Sequence, residues 1–283
     1  MPGDAALAHE SWYFGCSACG KCCDSPPRLF LPELFQHQAR FVGCLGLRRV
    51  GVDVDIFAHG FGFSSEQRCP ALESDGRCSL HGDHKPRICS VVPFDGARPH
   101  VEQPAVLARR GEEAQFWGAE CIRAHPAPGF REVTRRLRVV DPDVHAALSA
   151  YRRESSDERR FWIEDVRRLL APELLERPEQ VRALPENGVL VLALVPALAL
   201  VAEVSPRCHE RVVSFVNAQN ELMAARLEQA VAQRNPVDLD DTALLNRLLA
   251  SSQALLRVLL LKPPPPRARR AELAAAMESW LGV

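Results

Sequence analysis

Residues 16–23 read Cys16-Ser17-Ala18-Cys19-Gly20-Lys21-Cys22-Cys23, and they are the most informative segment of the chain. Its first three cysteines follow a C-x2-C-x2-C spacing, and a fourth cysteine comes directly after them. A C-x2-C spacing lets two thiolates converge on one metal centre about a tight turn. The glycine within the stretch supplies the backbone freedom that such a turn needs. The stretch therefore predicts a metal-binding loop.

Cysteines are unevenly distributed, since nine of the ten in this 283-residue chain lie between positions 16 and 121. Cys44 is expected to be a small core residue, and Cys208 lies far beyond the other cysteines. Cys208 and His209 are not expected to form a nucleophile pair, because sequence neighbours point apart in most backbones. Adjacent side chains usually diverge, so the last two cysteines of the loop are not expected to share one tetrahedral ion. The set therefore favours two centres, or one multinuclear centre, over a single zinc ion. The predicted metal ligands are Cys16, Cys19, Cys22, Cys23, Cys69, Cys78, Cys89 and Cys121.

The spacing of the loop cysteines bears on which metal they bind. Three cysteines with the spacing C-x2-C-x2-C match the motif that binds one [4Fe–4S] cluster. The distant Cys69-Pro70 could supply the fourth ligand of such a cluster. Zinc takes four cysteines, or a mixture of cysteine and histidine, just as readily. His81 and His84 are candidate ligands, although histidines in such a loop are more often at the surface. The predicted cofactor is an iron–sulfur cluster of the [4Fe–4S] type, or zinc.

Composition and charge exclude several classes of protein. The chain is 47% hydrophobic and 25% charged, as expected of a globular protein, and its net charge of -1 predicts no attraction to nucleic acid. The longest apolar run, residues 189–202, is shorter than the roughly 20 residues of a spanning helix and contains Pro196, so no membrane partner is predicted. No export signal is recognised, so reduced thiols in a cytoplasmic, bacterial protein are expected. The partner or substrate is predicted to be an unidentified protein.

The pattern along the chain predicts two parts and an α+β fold. Residues 1–130 are irregular and rich in Gly, Pro, His and Cys, and they predict a small loop-rich cysteine-cluster domain organised by its metal. Residues 131–283 predict a mainly α-helical domain. Within the first part, Pro32 indicates the first turn of a helix.

Signals for helix ends are expected at several places in the second part. Ser155 to Glu158 fit a capping box at a helix start, and Asp240 or Asp241 is expected to cap a leucine-rich helix. Lys262 and the four prolines after it are expected to end that helix. The amphipathic tail beyond them is expected to fold back onto its own domain.

Further motifs follow the loop in a recognisable order. C-x2-C-G-K-C-C is followed by G-R-C-S-L at 76–80 and by H-K-P-R-I-C-S-V-V-P-F at 84–94. This order resembles the cysteine-cluster (CxxCxxCC) family over about residues 12–125. That family is described as a zinc- or iron-chelating domain, and flagellin lysine-N-methylases, which are linked to an iron–sulfur centre, carry a similar cysteine pattern.

The resemblance implies a protein that coordinates an iron–sulfur cluster or zinc through its N-terminal cysteines. Two alternatives stay open. One is an iron–sulfur-associated enzyme similar to protein lysine-N-methylases, and the other is a structural zinc-binding scaffold. The helical part carries no motif that matches an enzyme, so the first alternative depends on the shared cysteine domain alone. Whether the chain is an enzyme is left open by the sequence.

Overall fold

The structure is a computed structural model of the chain, and it describes residues 10–16, 20–51, 53–81, 84–112, 119–172, 176, 178–184, 188–261 and 271–283. Its strands are β1 (Ser11–Phe14), β2 (Gly43–Val50), β3 (Asp53–Gly60), β4 (Ile122–Arg123), β5 (Arg131–Arg135), β6 (Arg138–Val139) and β7 (Leu190–Ala193). Its helices are α1 (Leu31–Gln36), α2 (Arg87–Val91), α3 (Gln103–Glu112), α4 (Pro142–Glu158), α5 (Glu164–Leu170), α6 (Pro178–Ala183), α7 (Val195–Ala202), α8 (Pro206–Gln233), α9 (Leu239–Leu261) and α10 (Ala271–Leu281). A π-helical turn, Arg159–Ile163, joins α4 to α5.

The chain forms two compact units, each built from two segments. The first unit consists of Met1–Asp24 and Ala71–Ser155, and the second of Ser25–Pro70 and Ser156–Val283. Both units contain a sheet and helices, which confirms the predicted α+β class. The predicted domains, residues 1–130 and 131–283, divide the chain by sequence position and stay a prediction.

The first unit is organised by a four-stranded antiparallel sheet with the order β4-β1-β5-β6. Helix α3 packs across this sheet, and Leu107 of α3, Trp12 of β1 and Val133 of β5 are all buried. In the pairing of β1 with β4, Phe14 lies opposite Ile122. Because β1 ends just before the cysteine loop and β4 begins just after Cys121, this register brings two cysteine-bearing segments to the same end of the sheet.

The second unit combines a three-stranded antiparallel sheet, with the order β3-β2-β7, and most of the helices. Strands β2 and β3 pair along their full length, from Gly43 opposite Gly60 to Val50 opposite Asp53. The long helices α8 and α9 pack against each other, and α7 packs against α8. Successive residues Cys44–Leu47 of β2 are all buried, so the helices and loops of this unit cover the small sheet on both faces there.

Two of the predicted elements of the second unit are confirmed. Helix α1 begins at Leu31 and has Pro32 in its first turn, where a missing N–H group costs no hydrogen bond. The C-terminal tail forms α10, which packs against α1 and α8. Met277 and Leu281 of α10 are buried, so the apolar stripe of the tail is what holds it on its own unit.

Two predicted helix starts are wrong. Helix α4 begins at Pro142 rather than at Ser155, because Asp141 Oδ1 accepts a hydrogen bond of 2.9 Å from the Val144 N–H group and the proline suits the first helical position. The predicted capping box lies in the last turn of that helix. Helix α9 begins at Leu239, before the predicted caps, and Asp241 Oδ2 instead accepts from the Ser64 N–H group at 2.7 Å. Lys262 and the prolines lie outside the described residues.

The apolar run at 189–202 is split between two elements, β7 and α7, with Pro196 in the first turn of the helix. Ala197, Leu198 and Val201 are buried, which confirms the prediction of core packing for the α7 part. Among the described residues, the segment Pro236–Leu261 is long and apolar enough to cross a membrane by length and composition alone, and 28% of its most apolar stretch is buried. The core helix of a globular protein meets the same criteria.

Candidate metal centre

The cysteine loop is shaped by a left-handed glycine. Gly20 has φ +72°, and the Cys23 N–H group donates to the Gly20 carbonyl oxygen at 2.9 Å, so a tight turn covers Lys21–Cys23. A Cβ atom at position 20 would lie 3.1 Å from Leu72 Cδ1. Both the backbone conformation and this close approach explain why the loop has glycine there.

The contact with Leu72 links the loop to Cys78. Leu72 forms an antiparallel β-bridge with Cys78, and the Ser79 N–H group donates to the Ala71 carbonyl oxygen at 2.9 Å. These two interactions make residues 71–79 a small hairpin-like segment. The Gly20 turn therefore packs against the segment that carries Cys78, which is half-buried.

Two contacts hold the loop to the turn that carries Cys121. At the start of the loop, the Gly15 N–H group donates to the Cys121 carbonyl oxygen at 3.1 Å. At the other end, Lys21 Nζ lies 2.7 Å from Glu120 Oε1. Residues Ala119–Cys121 form a single 3-10 turn, so both ends of the loop contact the same three residues.

The electrostatic surroundings of Cys22 favour its thiolate. A hydrogen bond from Cys23 and the positive charge of Lys85 lower the pKa of the Cys22 thiol to about 6, although partial burial and the charge of Asp24 oppose the shift. Lys85 lies two residues before α2, which contains Cys89, so the segment leading into α2 also approaches the loop. A thiolate at neutral pH is the form that binds metal.

Of the eight predicted ligands, six are described in the first unit. Cys16 and Cys22 are exposed, three more are half-buried, and Cys121 is buried. Cys69 is buried in the second unit, and Cys19 lies outside the described residues. All nine cysteines in the described part of the chain are thiols rather than disulfides. The half-buried ligands are Cys23, Cys78 and Cys89.

The donor set of the first unit fits zinc or iron by its chemistry. Thiolates are the ligands preferred by zinc and by iron–sulfur clusters, and the contacts above draw the loop, the Cys78 hairpin and the Cys121 turn together. In the residues that the structure describes, no three Cys, His, Asp or Glu side chains form a finished metal-binding group. The Cys23 thiol donates a hydrogen bond to Cys22, so these two side chains lie close together.

The two candidate histidines lie near the cysteines in sequence but are exposed. The His81 N–H group donates to the Cys78 carbonyl oxygen at 3.0 Å, and His84 has φ +57°. Both features describe the backbone of the loop, and neither places an imidazole ring toward the cysteines. Their exposure agrees with the expectation that histidines of this segment lie at the surface.

The two cysteines set aside from the ligand set are buried in the second unit. Cys44, on β2, has no exposed surface, as predicted for a core residue. Its Sγ atom lies 3.3 Å from Nε2 of His59 on β3, a pairing that the sequence analysis missed. His59 Nδ1 donates to the Gly60 carbonyl oxygen at 2.8 Å, and the Cys44 thiol donates to the His59 carbonyl oxygen at 3.4 Å.

Burial determines the protonation states of Cys44 and His59. It raises the pKa of the Cys44 thiol and lowers the pKa of the His59 imidazole, so both groups are neutral. Cys208 is equally buried, near the start of α8, where its N–H group donates to Ser205 Oγ at 3.2 Å. Neither thiol has the charge or the access of a metal-binding or nucleophilic cysteine.

A second group that the sequence analysis missed is a buried acid. Glu158 has no exposed surface, and its Oε1 atom accepts from the Leu31 N–H group at 2.7 Å and from Trp162 Nε1 at 3.3 Å. Burial raises its pKa to about 8, although these hydrogen bonds and Arg28 oppose the shift. The only sequence signal was a glutamate in the predicted capping box, and it indicated a different role.

Comparison with known families points to the same segment of the chain as the metal-binding part. Residues 15–114 match the model of the CxxCxxCC family, described as "Putative zinc- or iron-chelating domain". The match confirms the resemblance seen in the sequence and supports zinc or iron chelation by this segment. Cys121 lies beyond the matched residues. Comparisons with curated proteins and with solved structures gave no match.

Proposed function

We propose that the cysteines of the first unit chelate one metal centre, an iron–sulfur cluster in preference to zinc, at the end of the β1–β4 strand pair. The observation that carries the proposal is the convergence of backbone segments on the C-x2-C-x2-C-C loop. The Cys121 turn contacts both ends of the loop, the Cys78 hairpin contacts its glycine, and Lys85 brings positive charge to Cys22.

The spacing of the loop cysteines favours an iron–sulfur cluster over zinc, because C-x2-C-x2-C matches the run that wraps one corner of a [4Fe–4S] cluster. The first unit contains six described predicted ligands, which is enough for the four thiolates that either centre takes. The hydrogen bond between Cys22 and Cys23 removes the main argument for assigning them to separate centres. The iron atoms of a cluster each take their own thiolate, so a single cluster has room for neighbouring cysteines. Cys19 and Cys69 stay predicted ligands.

The chain's own residues hold and orient the ligands. Gly20 sets the turn that presents Cys22 and Cys23, and the strand register Phe14 opposite Ile122 fixes the start of the loop beside Cys121. Lys85 offsets the negative charge that gathers when thiolates cluster. An iron–sulfur cluster, when bound, supplies one-electron transfer, whereas zinc supplies structural stability. A reducing compartment such as the cytoplasm would keep these thiols available.

Metal and acid-labile sulfide analysis of anaerobically purified protein tests the proposal. We expect iron and sulfide together with broad visible absorbance, and loss of the metal in Cys22→Ser. The matched control is Cys208→Ser, which removes a buried thiol of the second unit and should leave the metal content unchanged. A colourless protein with stoichiometric zinc would replace the iron–sulfur proposal with the zinc scaffold. A wild-type chain with no metal would refute chelation altogether.

The lysine-N-methylase-like activity implied by the cysteine pattern stays a prediction. It requires binding of S-adenosylmethionine, the methyl donor of that reaction. Calorimetric titration of S-adenosylmethionine into the metal-loaded protein tests it directly. Saturable binding would support the enzyme alternative, and an absence of heat at ligand concentrations well above the protein concentration would count against it.

A further inference from the structure

Lys21 and Glu120 form the contact that closes the second end of the cysteine loop. Their charged atoms are 2.7 Å apart, and the side chains are 58% and 42% exposed. Lys21 directly precedes Cys22, and Glu120 directly precedes Cys121. The hydrogen bond from Gly15 to Cys121 closes the other end of the loop. The loop and the turn are thus joined at two points, one at Gly15 and one at Lys21.

We infer that the Lys21–Glu120 ion pair is a latch, a pair of positioning residues that keeps the Cys121 turn against the cysteine loop and so slows release of the metal. The inference rests on the proposed function. Loss of Cys121 from a shared centre requires the 119–121 turn to separate from the loop. The ion pair opposes that separation at Lys21, six residues along the chain from the hydrogen bond at Gly15.

A latch and a through-space effect of the two charges on the thiolates lead to different expected results. Clustered thiolates are negative, so a nearby positive charge stabilises them and a nearby negative charge destabilises them. If Lys21 and Glu120 acted only through space, then removing Lys21 would speed metal release and removing Glu120 would slow it. If they act as a latch, removing either one breaks the same contact and speeds release.

A double-mutant cycle made of uncharged substitutions distinguishes the latch from a through-space charge effect. The variants are Lys21→Met, Glu120→Gln and the double variant, and the readout is the rate at which the bound iron or zinc passes to a chromogenic chelator. Each single variant should release metal about two- to five-fold faster, the range expected of an exposed ion pair. The double variant should release it no faster than the singles, because the contact can be lost only once.

Arg136→Met is the matched control, because Arg136 forms an exposed ion pair with Glu10 at 3.3 Å in the same unit, away from the loop. It should leave the release rate unchanged. Raising the salt concentration should narrow the gap between wild type and the single variants, because screening weakens the pair. Slower release from Glu120→Gln, unchanged rates in both single variants, or multiplied effects in the double variant would overturn the latch.

Hydrogen exchange at the Gly15 amide gives a second readout that does not depend on metal release. In protein as purified, both single variants should show faster exchange at Gly15, since its acceptor belongs to the Cys121 turn that the latch holds. Unchanged exchange in both would overturn the latch even if metal is bound. A wild-type chain without metal is a separate result, which refutes the proposed function and with it the inference.

Discussion

Replacing Glu158 with glutamine should stabilise the protein at neutral pH. The carboxyl group is fully buried beside Leu31 and Trp162, and its second oxygen, Oε2, has no hydrogen-bond partner among the described residues. Glutamine has nearly the same shape and keeps an oxygen that can accept from the Leu31 N–H group. It differs in that it never ionises, so it removes the cost of keeping an acid neutral inside the protein.

The size of the effect follows from the two pKa values. Burial raises the pKa of Glu158 to about 8 in the folded protein, from an ordinary value of 4.5. Between these values the folded state binds the proton and the unfolded chain does not, so the stability of the wild type falls as the pH rises. At about 1.4 kcal/mol per pH unit, the loss between pH 4.5 and pH 7 is about 3 kcal/mol.

Urea unfolding followed by tryptophan fluorescence, repeated from about pH 5 to about pH 7.5, measures this effect. The free energy of unfolding of Glu158→Gln should rise relative to that of the wild type by about 3 kcal/mol across this range. Taking the difference cancels the titrations that both proteins share, including those of the metal ligands. Glu210→Gln, an exposed glutamate of α8, is the control and should follow the wild type. A difference that stays constant with pH would refute the buried neutral acid.

Three further predictions concern the cysteines and their loop. In metal-free protein, alkylation of Cys22 followed by mass spectrometry should have its midpoint near pH 6, because the lowered pKa keeps the thiolate present down to that pH; a midpoint near 9, the ordinary value for a thiol, would contradict the electrostatics described. Gly20→Ala should lower metal affinity, because it strains a residue with φ +72° and brings a methyl group to 3.1 Å from Leu72, and an unchanged affinity in chelator competition would argue against the turn. Cys44→Ser and Cys208→Ser should keep full metal content by elemental analysis, and metal loss from either would break the proposed ligand set.

Sequence patterns predicted the parts of the structure that depend on local chemistry. The α+β class, the helix at Pro32, the core position of Cys44 and the return of the C-terminal tail follow from residue spacing and from helix-capping preferences. The tight turn at the glycine of the cysteine loop follows in the same way. In each case a few neighbouring residues contain the whole signal.

The features that the sequence did not predict depend on contacts between distant residues. Glu158 matched a capping box, but an aspartate and a proline 16 to 17 positions earlier start the helix, and the glutamate instead accepts from Leu31, 127 residues away. His59 meets Cys44 only because β2 and β3 pair in one register. The Lys21–Glu120 contact likewise needs β1 and β4 to pair. None of these pairings has a signature in a short window of sequence.

X-ray absorption at the metal edge of the protein as purified reports which atoms bind the metal, and so tests thiolate chelation itself. We expect the nearest atoms to be mainly sulfur, at about 2.3 Å from iron or zinc, and we expect this signal to be lost in Cys22→Ser. Nitrogen and oxygen as the nearest atoms, at about 2.0 to 2.1 Å, would contradict thiolate chelation, since the cysteines of the first unit would then not be the ligands.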